Sequence, residues 1–375
     1  MGFVGTIVVF FLGILLIVMI HEFGHYLPAR RFGFRVLEYF VGFGPKLWSF
    51  HRGEIEYGVK AIPAGGYVKI AGMNPLIDDV PPGDEDRAYY AKPVWQRAVV
   101  IACGPLSHFV VAALLFAILF YAVGEPDPAA PWQLSSVATQ IGEDPSPAAA
   151  AGLLPGDVLV RIGDVETPSS EEITALFSGS VDRPIDVTIE RGDETLELEV
   201  TPTRVDEGDQ VFGRIGVTVS PTKRVSPGVV AALVQGVDEV RALTVQSFQQ
   251  IGRIFGPQGI VRTGALLFTD EPRAQTDSVS VVGIGQTVGT LGEQGAWADV
   301  LFTFAYVVLF IGIINLIPLP PLDGGHLAVL LIERVRGRPV DMRKLIPVSV
   351  SVLAFLVLFT LANVTLDVTK PVPGP

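Results

Sequence analysis

Four long apolar runs constrain the fold of this chain more than any other feature of its sequence. A transmembrane helix needs about 20 predominantly apolar residues, and each run is close to or beyond that length. The runs are Phe3–Ile20, Val99–Val123, Val300–Leu319 and Leu345–Val364. Apolar residues make up 49% of the 375 residues and charged residues only 18%, which argues against a disordered chain and against an ordinary soluble enzyme. The sequence therefore predicts a polytopic α-helical membrane protein with four transmembrane helices.

The first run has two alternative interpretations, a cleaved signal peptide or a myristoylated start at Met1–Thr6. A signal peptide has basic residues before its apolar core and small residues at its cleavage site. Neither feature flanks Phe3–Ile20. We therefore expect this run to remain as a membrane span.

The charges of the connecting segments orient the spans. Segment 30–97 has 10 Lys or Arg and 8 Asp or Glu residues, and segment 333–344 has 5 and 2. Segment 125–293 has 11 and 25. Because basic loops stay in the cytoplasm, we expect both basic segments inside and the acidic segment and both termini outside. The net charge of −12, without an isolated basic cluster, argues against a nucleic-acid partner.

A small α/β domain is predicted between the second and third spans. Strand, helix and hairpin patterns occur in the order Asp157–Gly163, Glu171–Phe177, Ile185–Glu190 and Thr195–Thr201. The stretch SPAAAAGLLPGD at 146–157 resembles bacterial PDZ domains. We therefore place a PDZ-like domain at 135–203, with a generic α/β domain as the alternative.

The segment 204–296 is predicted to be an extracytoplasmic linker. Its residues Gly228–Phe255 have the apolar spacing of an amphipathic helix. This helix would lie on the outer membrane surface or pack on the PDZ-like domain. The Gly-rich stretch Ser278–Gly295 is expected to loop back toward the membrane.

The sequence His21-Glu22-Phe23-Gly24-His25 directly continues the first apolar run. On a helix, residues i and i+4 share a face, so both imidazoles can reach one zinc ion while Glu22 takes a proton from bound water. Polar residues at a helix end near the membrane surface are the simpler alternative. Ionisable side chains at membrane depth are costly and functional by default, which favours the metal site.

A catalytic zinc takes three protein ligands and keeps one position open. Candidates for the third ligand are His51, His108, Asp323 and His326. The third span is followed by Pro318, Pro320 and Pro321, which cannot lie inside an intact helix. Irregular backbone at membrane depth is tolerated only where it lines a cavity or is buried in protein. The first and third spans both run inward, so their inner ends should lie on one side of the membrane.

These motifs together resemble the site-2 protease family of intramembrane zinc metalloproteases, most closely its bacterial RseP-like group. The resemblance rests on HEFGH after the first span, on Asn315–Gly325 (NLIPLPPLDGG) after the third, and on the PDZ-like domain between them. It implies Zn²⁺ as cofactor, His21, His25 and Asp323 as its ligands, and Glu22 as the catalytic base. It also implies that Asn315 holds or polarises the substrate.

The resemblance extends to Tyr57–Met73, which is similar to a membrane-associated β-hairpin of the family. Ile55–Ala61 and Gly66–Ile70 are expected to pair around Pro63–Gly65, although a plain cytoplasmic hairpin is possible. The expected substrate contacts are Gly65, Gly66, Tyr67 and Val68. The resulting architecture is a first membrane half (1–124), the PDZ-like domain (135–203), the linker (204–296) and a second membrane half (297–375).

Two features depart from the family pattern. His108 occupies the position of a common Asn in the second span, where it could form a hydrogen bond or assist the metal site. Only one PDZ-like domain is found, whereas better-known members have two.

The expected function is regulated intramembrane proteolysis in the bacterial inner membrane, with the active site near the cytoplasmic side. The substrate is expected to be a single-span protein already trimmed by another protease, such as an anti-sigma factor, or a signal-peptide remnant. The PDZ-like domain would act as a size filter. The alternatives are a non-catalytic PDZ-containing scaffold, which should lack the base or a ligand, and a metal transporter, which needs ionisable residues along several spans.

Overall fold

The computed structural model describes residues 2–73, 80–127, 129–141, 144–207, 210–274 and 277–372. The chain divides into two compact units. The helical unit comprises Met1–Leu119 with Val229–Pro375, and the sheet-rich unit comprises Phe120–Gly228.

The helical unit contains eight labelled helices. They are α1 (Phe3–Arg31), α2 (Val94–Val123), α3 (Val229–Phe255), α4 (Pro257–Phe268), α5 (Val281–Glu293), α6 (Trp297–Asn315), α7 (Asp323–Arg336) and α8 (Ile346–Thr369). Short 3-10 turns lie at Glu85–Arg87, Tyr89–Ala91 and Met342–Leu345. Helices α1, α2 and α6, and α8 with the turn before it, are long and apolar enough to cross a membrane. The four predicted spans are thus confirmed as helices of spanning length.

Two of these helices end at different places from the apolar runs. Helix α1 continues beyond Ile20 to Arg31, so His21, Glu22 and His25 of the HExxH motif lie within its regular turns. Helix α6 ends at Asn315 rather than Leu319, because Pro318 cannot donate a backbone hydrogen bond to a continuing helix.

A long antiparallel hairpin connects α1 with α2. Its strands are β1 (Val36–Arg52) and β2 (Ile55–Ile70). The first half of β1 pairs on both sides, since Tyr39 is the register partner of both Tyr57 and Val68. The resulting order is 66–70, 36–41, 56–59 and 46–52, which places 66–70 at an edge of the described sheet.

The predicted direct pairing of Ile55–Ala61 with Gly66–Ile70 is therefore wrong. The first half of β1 lies between these two segments and pairs with each of them. Its side chains Val36 and Phe40 are fully buried, as expected for a central strand with alternating apolar residues. Residues 36–52 were not recognised as a strand in the sequence, so its position between the two others was missed.

The sheet-rich unit contains seven labelled strands. They are β3 (Trp132–Val137), β4 (Val158–Ile162), β5 (Ile185–Arg191), β6 (Glu194–Val200), β7 (Thr203–Glu207), β8 (Gln210–Arg214) and β9 (Val217–Pro221). The main sheet has the order β6-β5-β4-β3-β9, with Val165–Glu166 also paired to β4. Strands β7 and β8 form a separate hairpin. Two-residue strands lie at Glu125–Pro126, Gln140–Ile141, Asp144–Pro145 and Arg224–Val225.

Several local predictions in this unit are confirmed. The β5–β6 hairpin pairs Arg191 with Glu194 around the turn, and a capped helix spans Ser170–Gly179. A short helix at Pro147–Ala150 follows Ser146, whose hydroxyl accepts a hydrogen bond from Ala149 N. Because β3 and β9 both belong to the sheet, the unit is wider than the predicted 135–203.

Helices α3 and α5 pack against the long apolar helices. On α3, Gly236 lies against Ala113 and Ala117 of α2, and Ser247 Oγ lies 3.4 Å from the Tyr306 hydroxyl of α6. The Gly-rich stretch Ser278–Gly295, expected to loop back toward the membrane, is mostly helix α5, and this helix packs along the long apolar helix α1. Its small residues allow this close packing.

Candidate metal centre and active site

The turns of α1 that carry His21–His25 lie against α2 at very short range. A Cβ at residue 104 would lie 2.2 Å from His25 Cε1, and one at residue 24 would lie 2.4 Å from the Cys103 carbonyl oxygen. Only glycine fits such contacts. Gly24 and Gly104 therefore allow α2 to support the HExxH turn directly.

Asp323 comes from a distant part of the sequence. After α6 ends at Asn315, the proline-containing segment turns and α7 begins at Asp323 itself. The turn is tight, since a Cβ at residue 324 would lie 2.3 Å from the Leu316 carbonyl oxygen. The first residue of α7 is thereby placed beside the two histidines of α1.

Three side-chain atoms converge at this point. His21 Nε2 lies 3.1 Å from His25 Nε2 and 3.2 Å from Asp323 Oδ2, and His25 Nε2 lies 3.4 Å from the same oxygen. The cluster is thus two imidazoles and one carboxylate.

The geometry of the cluster fits a tetrahedral metal ion. Ligand atoms about 2.0–2.1 Å from a tetrahedral zinc lie about 3.3–3.4 Å from one another, close to the three distances observed. Asp323 Oδ2 is buried and has no hydrogen-bond partner among the described residues. Such an oxygen is costly unless a cation lies nearby, and these donor types suit zinc.

In each histidine, the ring nitrogen that faces away from the cluster is Nδ1, and it also has a partner on α2. His25 Nδ1 donates to the Val100 carbonyl oxygen at 2.8 Å, which leaves the Nε2 lone pair free to bind a metal. His21 Nδ1 lies 3.0 Å from His108 Nε2. Supporting hydrogen bonds of this kind fix the orientation of metal-binding imidazoles.

Glu22 faces a cavity shared with the cluster. Its Oε2 accepts a hydrogen bond of 2.9 Å from the Val68 backbone N–H. The cavity has a volume of about 210 Å³. Its lining residues are His21, Glu22, His25, Val68, Ile70, Met73, Val100, Ile101, Asn315, Pro321, Leu322 and Asp323.

Only some of the other predicted substrate contacts line this cavity. Asn315 lines it, and its side-chain amide donates to the Ile311 carbonyl at 3.0 Å. Of the hairpin residues, Val68 lines the cavity, whereas Gly65 and Gly66 do not. The Tyr67 hydroxyl donates to Glu38 instead.

Two of the candidate third ligands lie outside the cluster. His51 is exposed on β1, where its register partner is Glu56. His326 lies one turn beyond Asp323 on α7 and is not among the three clustered residues.

An ion pair that the sequence did not indicate joins the C-terminal part of α7 to α2. Arg97 Nη1 lies 2.9 Å from Glu333 Oε2, and the two side chains are only 13% and 9% exposed. Glu333 Oε1 also accepts from Val340 N at 3.0 Å. The two residues are far apart in sequence and belong to no motif, so only the packing of α7 on α2 reveals them.

The fold and the cluster together define a class of protein, a membrane-embedded metallopeptidase with an HExxH helix and a distant third donor. Comparison with known families identifies which one. The profile of peptidase family M50 matches residues 9–359, and the chain therefore belongs to this family, the site-2 proteases.

Several curated relatives align over most of the chain. Zinc metalloprotease Rip1 of Mycobacterium tuberculosis H37Rv is 33% identical, and the alignment covers 99% of both chains. Rip1 of Mycolicibacterium smegmatis is 34% identical, with 97% of both chains covered. Metalloprotease MmpA of Caulobacter vibrioides is 30% identical over 90% of this chain and 89% of its own.

Proposed function

We propose that this chain is a zinc metalloprotease that cleaves peptide bonds within transmembrane segments of single-span membrane proteins. His21, His25 and Asp323 hold the zinc ion, and Glu22 is the catalytic base. The single observation that carries the proposal is the convergence of three donor atoms within 3.1–3.4 Å, from opposite ends of the chain. The relatives' names, which include zinc and metalloprotease, support the same metal and activity.

The reaction needs a water molecule, a proton acceptor and an unwound substrate strand. Zinc, when bound, acts as a Lewis acid toward water and the scissile carbonyl. Glu22 accepts the proton of the attacking water and later transfers it to the leaving amine. Its carboxylate lines the same cavity as the three donors, which supports this role.

The edge of the hairpin sheet receives the substrate in this proposal. Residues 66–70 lie at the sheet edge nearest Glu22, and Val68 directs its backbone N–H into the cavity. An extended substrate strand can add to such an edge through backbone hydrogen bonds. Gly65, Gly66 and Tyr67 belong to the strand that leads to Val68, and Asn315 lines the same cavity, where its amide can hold the substrate backbone.

The protein is a membrane protein, and we infer that it resides in the bacterial inner membrane with both termini outside. The basic segments 30–97 and 333–344 support a cytoplasmic location for the ends of α1 and α6 that carry the site. The bacterial relatives support the same compartment. The hairpin would then dip into the membrane on the cytoplasmic side.

The sheet-rich unit acts as a PDZ-like filter outside the membrane. The Ser146-capped turn, the helix Ser170–Gly179 and the antiparallel sheet support this assignment. A folded unit of this size would exclude substrates with large outer domains and admit those trimmed by another protease. Anti-sigma factors and signal-peptide remnants have the required form.

A non-catalytic PDZ-containing scaffold is the competing function. It would not need Glu22 and the three donors to share one cavity. The scaffold remains distinguishable by its lack of turnover.

The decisive experiment uses purified full-length protein in detergent and a single-span test substrate. The wild type should bind one zinc ion per chain and cleave the substrate, and a chelator should stop the cleavage. Glu22→Gln should keep the zinc and lower the rate by about 10²–10⁴-fold, the range for a lost acid–base group. Glu197→Gln, a change at a 75% exposed side chain, is the matched control and should cleave normally. Normal cleavage by Glu22→Gln would contradict the assigned base, and metal-independent cleavage would contradict the zinc enzyme.

A further inference from the structure

The two sides of the His21 ring face different partners. Its Nε2 lies 3.1 Å from His25 Nε2 and 3.2 Å from Asp323 Oδ2, on the side of the proposed metal. Its Nδ1 lies 3.0 Å from Nε2 of His108 on α2. His108 therefore lies behind the ligand and does not face the metal position.

The direction of this hydrogen bond decides whether His21 can bind a metal. A neutral imidazole carries one proton, and the nitrogen without the proton has the ligating lone pair. If His108 Nε2 accepts, the proton of His21 is on Nδ1 and its Nε2 is free. If His108 Nε2 donates, the proton of His21 is on Nε2 and the metal position is blocked.

His25 needs no such selection. Its Nδ1 faces the Val100 carbonyl oxygen at 2.8 Å, and a carbonyl can only accept a hydrogen bond. The tautomer of His25 is thus fixed by backbone, whereas that of His21 depends on the His108 side chain. The two ligands are supported by different means.

The position of His108 is also fixed by packing. The residue is 1% exposed, and a Cβ at residue 312 would lie 2.6 Å from His108 Cβ. Gly312 therefore lets α6 pack directly on this side chain. With little free space around it, the imidazole has few alternative orientations and stays directed at His21.

We propose that His108 is a positioning residue that holds His21 in the tautomer and orientation required for metal binding. This inference rests on the proposed function, because it assumes that His21 is a ligand. His108 acts by accepting a hydrogen bond from His21 Nδ1–H at its own Nε2, and the proton of the neutral His108 ring is then on its Nδ1. It touches neither the substrate nor the metal in this role.

The test measures zinc affinity of full-length protein in detergent by competition with a chromogenic chelator. His108→Leu should weaken zinc binding by about 10–100-fold, as for other partners of ligating histidines. His108→Gln places an amide oxygen at a similar reach and should recover at least half of this loss on a logarithmic scale. Excess zinc should restore cleavage by His108→Leu, because its catalytic groups are intact.

A matched control separates positioning from packing. Phe116 lies two turns further along α2 and packs on Phe302 of α6 with ring centroids 5.4 Å apart. Phe116→Leu should disturb the same helix pair yet keep wild-type zinc affinity. Thermal unfolding of the metal-free variants should show that all three are folded.

Three results would overturn the inference. The first is wild-type zinc affinity in His108→Leu, and the second is an equal loss in His108→Leu and Phe116→Leu. The third is a failure of both His108→Gln and excess zinc to recover function. His21→Leu distinguishes an error in the proposed metal centre from an error in the role of His108. If it retains zinc, the proposed metal centre itself is wrong, and if it alone loses zinc, only the role of His108 is wrong.

Discussion

The backbone N–H of Val68 donates a 2.9 Å hydrogen bond to Glu22 Oε2. This bond joins the edge strand of the hairpin sheet to the HExxH helix. The strand proposed to bind substrate and the carboxylate proposed to accept a proton are therefore in direct contact. An incoming substrate strand would meet both groups at once.

Replacement of Val68 by proline should test this contact. Val68→Pro removes the N–H, and proline is tolerated on edge strands. A hydrogen bond to a charged group contributes about 1.5–3 kcal/mol, so cleavage efficiency should fall by roughly 10–150-fold with zinc still bound. Val68→Ala keeps the N–H and is the control. Equal activities of the two variants in a cleavage assay would show that the backbone group is not used.

Removal of the carboxylate ligand should abolish tight metal binding. Asp323→Asn keeps the shape of the side chain but replaces the charged oxygen beside two imidazoles with a neutral amide. We expect zinc affinity to fall by more than about 100-fold, the upper end for outer partners of a ligand. Asp341→Asn, a change at an exposed residue, should leave it unchanged. Metal analysis after dialysis measures both, and full zinc occupancy in Asp323→Asn would refute the ligand assignment.

The sheet-rich unit contains a partly buried ion pair whose contribution to stability should depend on pH. Asp157 is 1% exposed and lies 2.7 Å from Arg191 Nε. Burial alone would raise the pKa of Asp157, but Arg191 and the Leu154 N–H hold the pKa below its usual value. A lowered folded-state pKa stabilises the fold above the unfolded-state pKa of about 3.9, and this stability is lost as pH falls toward the folded-state value.

Hydrogen exchange of β4 and β5 in the full-length protein should follow this dependence. Arg191→Leu should speed exchange near pH 7, because the Asp157 carboxylate loses its charged partner, although solvent screening reduces the effect since the Arg191 side chain is 35% exposed. The difference from wild type should shrink below about pH 4 as Asp157 becomes protonated. Arg161→Leu is the control, because the ion-pair partner of Arg161 is Glu197, whose side chain is 75% exposed. A difference that grows on acidification would reverse the proposed sign.

The filter role predicts a change in selectivity rather than in chemistry. Replacement of residues 125–228, the part of the sheet-rich unit beyond α2, by a flexible linker should leave cleavage of a trimmed substrate within the range of the parent enzyme. Cleavage of the same substrate with its intact outer domain should rise toward the trimmed rate. The ratio of the two rates is the measurement. An unchanged ratio would mean that the unit does not discriminate by size.

Much of the site could be predicted from sequence because its residues lie in short motifs. His21 and His25 share one helical face with Glu22 beside them, and Asp323 follows a proline-rich break that must lie beside protein or a cavity. The contacts of His108 and of Glu333 could not be predicted. They depend on how α2 packs against α1 and α7. Helix periodicity predicts which face of α2 is buried, but it does not predict which helices lie against that face.

The hairpin shows a different limit of sequence reasoning. The segments around Tyr57 and Val68 were recognised as strands, but Tyr39 lies between them and pairs with both. Strand patterns identify which residues are extended, whereas pairing order is set by long-range contacts. The edge position of Val68, on which the proposed mode of substrate binding depends, is visible only in the assembled sheet.

Helix α2 contributes a contact that supports each of the three donor residues. It supplies Val100 to His25, His108 to His21, and Arg97 to the helix that begins with Asp323. A shift or tilt of this one helix, for instance in a bilayer of different thickness, would move the supports of all three donors in concert. The relative positions of the three donor side chains therefore share one mechanical support, and a displacement of α2 is transmitted to all of them at once.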